Sequence, residues 1–150
     1  DAILLAAAGL SRIDRSDAAT EFLPLERWPT APAQGALAVE TRAGEEHCVS
    51  RLDHRPTRLA VDAERGVLAR LEAGCAAPIG AHAFFDDGLM FLTARIYRPY
   101  GTAQLTSAHA ADADDPGVAA ELAARVADEL LAEGAAALAP LGPGAREDRA

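Results

Sequence analysis

Apolar residues run unbroken from Ala2 to Ala8, with no alternation between the two sides of the chain. Such a run predicts a strand buried on both faces, as in a parallel sheet. Residues 9–28 read as a turn into a short helix, and Pro29 and Pro32 mark a connection. Leu37-Ala38-Val39 predicts a second short strand that ends at Glu40. The period then becomes helical. Leu59, Ala63, Val67 and Leu71 recur every four residues and form one apolar stripe. Asp53 is the expected N-cap of this helix, Pro56 is tolerated in its first turn, and Gly74 is the expected stop.

Beyond residue 80 the pattern turns to strands, over Ala81–Phe85, Leu89–Arg98 and Gln104–His109. Asp87-Gly88 between the first two is a strong hairpin signal, and Pro99-Tyr100-Gly101 reads as the next turn. Asp115 and Pro116 open a last helix whose stripe is Val118, Leu122, Val126 and Leu130, ended by Gly134. The fold class that follows is α+β. Residues 51–139 predict a domain with a three-stranded antiparallel sheet covered by helices. Residues 1–50 predict an incomplete α/β segment, with too few strands to close a sheet and with apolar surface exposed around Ile3, Leu4 and Leu5. Residues 140–150, polar and rich in Gly and Pro, predict a flexible tail.

Composition narrows the function. The 150 residues are half hydrophobic and carry a formal charge of −9, which speaks against a nucleic-acid surface. All 14 cationic side chains are arginine. No apolar run approaches the ~20 residues of a membrane helix. The start carries no basic stretch ahead of an apolar core, so no signal peptide is expected. Cys48 and Cys75 make no disulfide framework, and a cytoplasmic location with reduced thiols is expected. His47, His54, His82 and His109 lack metal-ligand spacing, and no metal is expected. The paired Asp86-Asp87 reads as a turn former.

The chemistry concentrates in Leu71-Glu72-Ala73-Gly74-Cys75-Ala76-Ala77-Pro78-Ile79-Gly80. The thiol follows a helix C-terminus, where the dipole does not favour a thiolate. Its neighbours have almost no side chain, which leaves room for a large planar group. On composition alone Cys75 reads as a small buried hydrophobe, and Cys48 as an ordinary loop or helix thiol.

This loop resembles the cofactor-attachment loop of the hydroxymethylbilane synthase, or porphobilinogen deaminase, family. Ala63-Glu64-Arg65 ahead of Arg70-Leu71-Glu72-Ala73-Gly74-Cys75 and Pro78-Ile79-Gly80 is similar to the family's third-domain signature. Ala6-Ala7-Ala8-Gly9-Leu10 with Arg12, and Gln34-Gly35-Ala36 with Val39-Glu40, resemble two second-domain segments. The resemblance covers nearly the whole chain, with its matches in the family's order.

The resemblance implies an enzyme that joins four porphobilinogen molecules head to tail, with loss of ammonia each time, in tetrapyrrole (heme) biosynthesis. It implies a dipyrromethane cofactor tied by a thioether to Cys75, which would prime the growing polypyrrole chain. A soft sulfur suits capture of the cationic pyrrole carbon on which that chemistry depends. It assigns Arg12 to the acetate and propionate groups of cofactor and substrate, where a guanidinium fork suits a carboxylate. Gln34 and Gly35 are implied to approach the cofactor through backbone groups. Ala33 departs from the family, which commonly has glycine there.

The family's catalytic aspartate matches nothing in this chain, so no catalytic residue is expected within it. It is expected upstream, together with most of the basic wall that a body of charge −9 does not supply. The chain is accordingly read as the C-terminal half of the enzyme, inactive alone, whose partner is the N-terminal part of the same protein. The parent is expected to be a monomer, with no nucleic-acid or membrane partner. The alternative is a non-catalytic binding or interaction domain that keeps the fold; an intact loop around Cys75 favours the enzyme.

Overall fold

A computed structural model describes residues 1–74 and 77–141. Its centre is a three-stranded antiparallel sheet in the order β1-β2-β3, with β1 Ile79–Asp86, β2 Leu89–Tyr97 and β3 Gln104–Asp112. Phe84 pairs with Phe91 across the first hairpin, and Leu92 with His109 across the second. The turn residues follow the sequence signal. Asp87 (φ 44°) and Gly88 (φ 76°) are both left-handed, as a two-residue hairpin turn with right-handed strand twist requires.

Four helices accompany the sheet: α1 Ala7–Arg12, α2 Arg55–Arg70, α3 Val118–Ala132 and α4 Ala135–Leu138. α2 and α3 pack on one face of the sheet and on each other. They approach tightly at Gly66, where an added Cβ would lie 2.7 Å from that of Ala123. Val67, Leu71, Met90, Leu92, Ile96, Leu122, Val126 and Leu130 fill the space between helices and sheet. Arg70 adds a fork to Asp128 across the helix pair, Nε to Oδ1 at 2.7 Å and the terminal nitrogen to Oδ2 at 2.8 Å. The opposite sheet face carries a stack of His82, Phe84 and Phe91, the phenylalanine rings 4.9 Å apart and nearly parallel.

The two strands expected before residue 50 do not form. Ala2–Ala6 is extended but unpaired, and Ala7 and Ala8 already belong to α1. Leu37-Ala38-Val39 is irregular and exposed. A strand buried on both faces needs neighbours to take its hydrogen bonds, and the described residues supply none. Ile3, Leu4 and Leu5 are 83%, 82% and 67% exposed, the apolar exposure expected of them. Every buried core residue lies between Ala63 and Ala139.

Two helix ends also differ from expectation. His54, not Asp53, is the N-cap residue of α2; Asp53 instead accepts from Arg58 Nε at 2.9 Å. The helix stops before Gly74. Leu71 is its C-cap, and Glu72 takes the left-handed turn at φ 50°. Glu72 N–H donates to the Ala69 carbonyl and Ala73 N–H to that of Leu68, which satisfies the last turn without a glycine. The last helix ends as expected, with Gly134 left-handed at φ 98°. The expected tail from 140 lies outside the described residues apart from Ala139's neighbours Pro140 and Leu141.

Candidate functional site

The segment from Pro29 to Gly35 meets the sheet at the free edge of β1. That edge exposes alternate backbone donors, and those of Ile79, Ala81 and Ala83 find acceptors. Ile79 N–H donates to the Ala77 carbonyl at 2.8 Å, and Ala81 N–H to the Thr30 carbonyl at 2.9 Å. Ala83 N–H donates to Glu64 Oε1 at 2.9 Å. An uncovered edge would be a template for foreign strands; here the chain covers it itself. Gly80 is required by the same contact, since a Cβ there would lie 2.5 Å from the Pro29 carbonyl oxygen. On β2, the Arg95 guanidinium donates to the Arg27 carbonyl at 2.6 Å and fastens the segment from behind.

The other oxygen of Glu64 reaches the segment. Ala33 N–H donates to Oε2 at 2.6 Å. Ala33 is left-handed at φ 64°, a conformation that glycine adopts freely and alanine at a cost of about 1–2 kcal/mol. A glycine would adopt this turn without that cost. Gln34 and Gly35 follow directly, both exposed, and a Cβ on Gly35 would meet nothing within 4 Å. A cleft of about 850 Å³ opens between this segment and the first turns of α2, with Gln34, Glu46, Arg58 and Arg65 on its walls. The Gly44 N–H holds the Glu46 carboxyl below its ordinary range, and the Asp53 hydrogen bond and charge hold Arg58 above its own.

Arg12 is the last residue of α1 and exposed. It belongs to none of the four ion pairs among the described residues, which use Arg58, Arg70, His109 and Arg125. It does not line the cleft. Cys75 lies outside the described residues. Its flanks are placed: Gly74 is exposed with open space where a Cβ would stand, and Ala77 N–H donates to the Gly74 carbonyl at 3.0 Å. The segment that contains Cys75 connects the end of α2 to β1. Cys48 is exposed beside His47, its sulfur 3.4 Å from Nε2. Among the described residues no cluster of three His, Cys, Asp or Glu could hold a metal ion, and no helix is long and apolar enough to cross a membrane.

Motif reading quoted Glu64 and noted Ala33, but it did not connect the two. A signal was present. Ala60, Glu64, Val67 and Leu71 share one helical face, so a carboxylate stands among core positions.

Comparison with known proteins accounts for both halves. The profile described as "Porphobilinogen deaminase, C-terminal domain" matches residues 58–132, half of the chain. The chain belongs to the porphobilinogen deaminase family. A second profile, "Porphobilinogen deaminase, dipyromethane cofactor binding domain", matches residues 1–50. A porphobilinogen deaminase of Leifsonia xyli subsp. xyli is 55% identical over 94% of this chain and 47% of its own length. Porphobilinogen deaminases of Corynebacterium efficiens and Streptomyces avermitilis are 42% and 44% identical over 92% of the chain, and it covers 47% and 45% of them. The chain thus spans about half the length of these curated relatives.

Exposed groups suit a dipyrromethane, whose side groups are carboxylates: within residues 1–50 a guanidinium at Arg12 outside the ion pairs among the described residues and open backbone at Gly35, and beyond them open backbone at Gly74. The cleft suits it less. Its wall sets three carboxylates, Glu46, Asp53 and Asp62, against two guanidiniums, Arg58 and Arg65.

Proposed function

We propose that this chain is the part of a hydroxymethylbilane synthase that carries its dipyrromethane, with Cys75 as the thioether-forming residue. One observation carries the reading. Thr30 accepts from Ala81 on the edge of β1, Ala33 donates to Glu64, whose other oxygen accepts from Ala83, and β1 begins at Ile79, four residues after Cys75. The two family segments therefore meet beside the attachment loop, where Gln34 and Gly35 are exposed.

In this reading Arg12 binds the carboxylate side groups of cofactor and substrate with its planar fork. Gln34 and Gly35 offer backbone groups, and Gly74 keeps the approach to Cys75 clear. When bound, the dipyrromethane supplies the primer to which porphobilinogen units are added. The parent is a cytoplasmic transferase that condenses four porphobilinogen molecules with loss of ammonia. Its domains are divided here into 1–50, the end of the second, and 51–139, the third, with 140–150 as a tail. Its N-terminal part contributes the catalytic aspartate and the basic wall, and it works as a monomer.

Mass spectrometry of the full-length parent tests the assignment. A thioether survives denaturation, so the unfolded protein should carry one dipyrromethane, mapped to the peptide containing Cys75. Cys75→Ser replaces a soft nucleophile with a hydroxyl of far higher pKa and should abolish the adduct while the fold persists. Cys48→Ser should keep it. An adduct on Cys48, or full loading and activity of Cys75→Ser, overturns the reading. A folded parent with no adduct and no turnover favours a non-catalytic binding domain.

A further inference from the structure

We infer that Glu64 is a positioning residue, a carboxylate splint that fixes the Ala33–Gly35 turn against the domain bearing Cys75. The inference rests on the cofactor-carrying role proposed above. Glu64 is only 9% exposed. It belongs to none of the ion pairs among the described residues, and its two oxygens instead accept from backbone donors 31 and 19 residues away, Ala33 and Ala83. Burying a carboxylate without a cation is costly unless its hydrogen bonds are made. An alanine or leucine here would continue the apolar stripe of α2 at less expense.

The splint joins three elements at one point: α2, the edge of β1, and the turn that precedes Gln34 and Gly35. It holds the turn at the one residue whose backbone is strained, Ala33. A neutral amide cannot replace it. Glutamine has one acceptor oxygen, and its NH2 would face an N–H donor, so one of the two bonds is lost. The consequence is local: the turn is released while the helix–sheet core keeps its packing.

Amide hydrogen exchange on the 150-residue chain reads this directly. Glu64→Gln should accelerate exchange at Ala33 or Ala83 by about tenfold or more, with the amides of Val67, Leu92 and Val126 unchanged. Adding Ala33→Gly removes the strain the splint opposes and should restore part of the protection. Glu64→Asp keeps the charge but retracts it by one methylene, and should loosen the same amides if Glu64→Gln does not fold. In the full-length parent, Glu64→Gln should lower kcat/KM for porphobilinogen by about tenfold at unchanged melting temperature, with partial rescue by Ala33→Gly. Uniform acceleration across the core, no change at Ala33 and Ala83, or a parent variant of full activity overturns the inference. Absence of turnover in the unmodified parent would instead overturn the proposed function.

Discussion

Gly80 lies against Pro29 so closely that a methyl group on its α-carbon would stand 2.5 Å from the Pro29 carbonyl oxygen. The neighbouring bond from Ala81 N–H to Thr30 depends on that approach. Gly80→Ala should therefore push the 29–33 segment off the β1 edge and cost about 1–3 kcal/mol. Urea denaturation measures the loss. Gly74→Ala is the comparator: a Cβ there meets nothing within 4 Å, and the change should stay within about 0.5 kcal/mol. Equal effects of the two substitutions would show that the Pro29 contact carries no weight.

The third strand carries a pH-sensitive contact with α3. Ser107 Oγ–H donates to Glu129, and His109 Nε2 lies 2.8 Å from the same oxygen. The Ser107 hydrogen bond, then the His109 one, hold the Glu129 carboxyl below its ordinary 4.5. A carboxylate depressed in the folded state stabilises it above the unfolded value and loses that contribution as pH falls through the folded one. Stability should therefore be insensitive to Glu129 near neutrality and fall as the solution is acidified below about pH 4.5. Glu129→Gln should flatten that fall in urea titrations at about pH 5 and about pH 3. An unchanged slope would mean that the Ser107 and His109 bonds add nothing.

The sequence was most legible where local chemistry and tertiary packing agree. Asp87-Gly88 imposes its own backbone geometry, and the stripes of α2 and α3 face a sheet that the same segment builds. It was least legible where a residue's role depends on a distant partner. The run Ala2–Ala8 has strand character but no neighbour among the described residues, so its first five residues or so are merely extended. Gly74 looked like a helix stop, but the Leu68 and Ala69 carbonyls had already found donors around Glu72. Of the candidate site, Gln34 and Gly35 were found by motif and are exposed. Glu64 stood in a different motif, the third-domain signature, yet its contacts are two bonds to residues 31 and 19 positions away, which no local pattern encodes.

The chain alone should not convert porphobilinogen. In the proposed reading the catalytic aspartate comes from the N-terminal part of the parent, and the cleft described above carries more acid than base. Isolated material should also carry Cys75 as a free thiol, since assembling the primer needs the same missing groups. Incubation with porphobilinogen, followed by absorbance for pyrrole polymer and by thiol titration, checks both statements. Detectable polymer, or a blocked Cys75 in the purified chain, would defeat them.

Arg12 ends α1 exposed, with its guanidinium outside every ion pair among the described residues. An arginine held at a helix end with no protein partner is available to a carboxylate ligand. In the full-length parent, Arg12→Gln removes both charge and fork. A charge-assisted hydrogen bond is worth about 1.5–3 kcal/mol, so kcat/KM should fall by about 10- to 100-fold. Arg12→Lys keeps the charge but loses the planar pair of donors, and should fall between Arg12→Gln and the unmodified parent. Arg15→Gln, also exposed but not among the residues assigned to the cofactor, should leave the rate within about twofold. Steady-state kinetics together with cofactor mass in each variant separates loss of substrate binding from loss of loading. If Arg12→Gln turns over like the unmodified parent, the carboxylates are held elsewhere, and α1 serves only as a connection into the segment that covers β1.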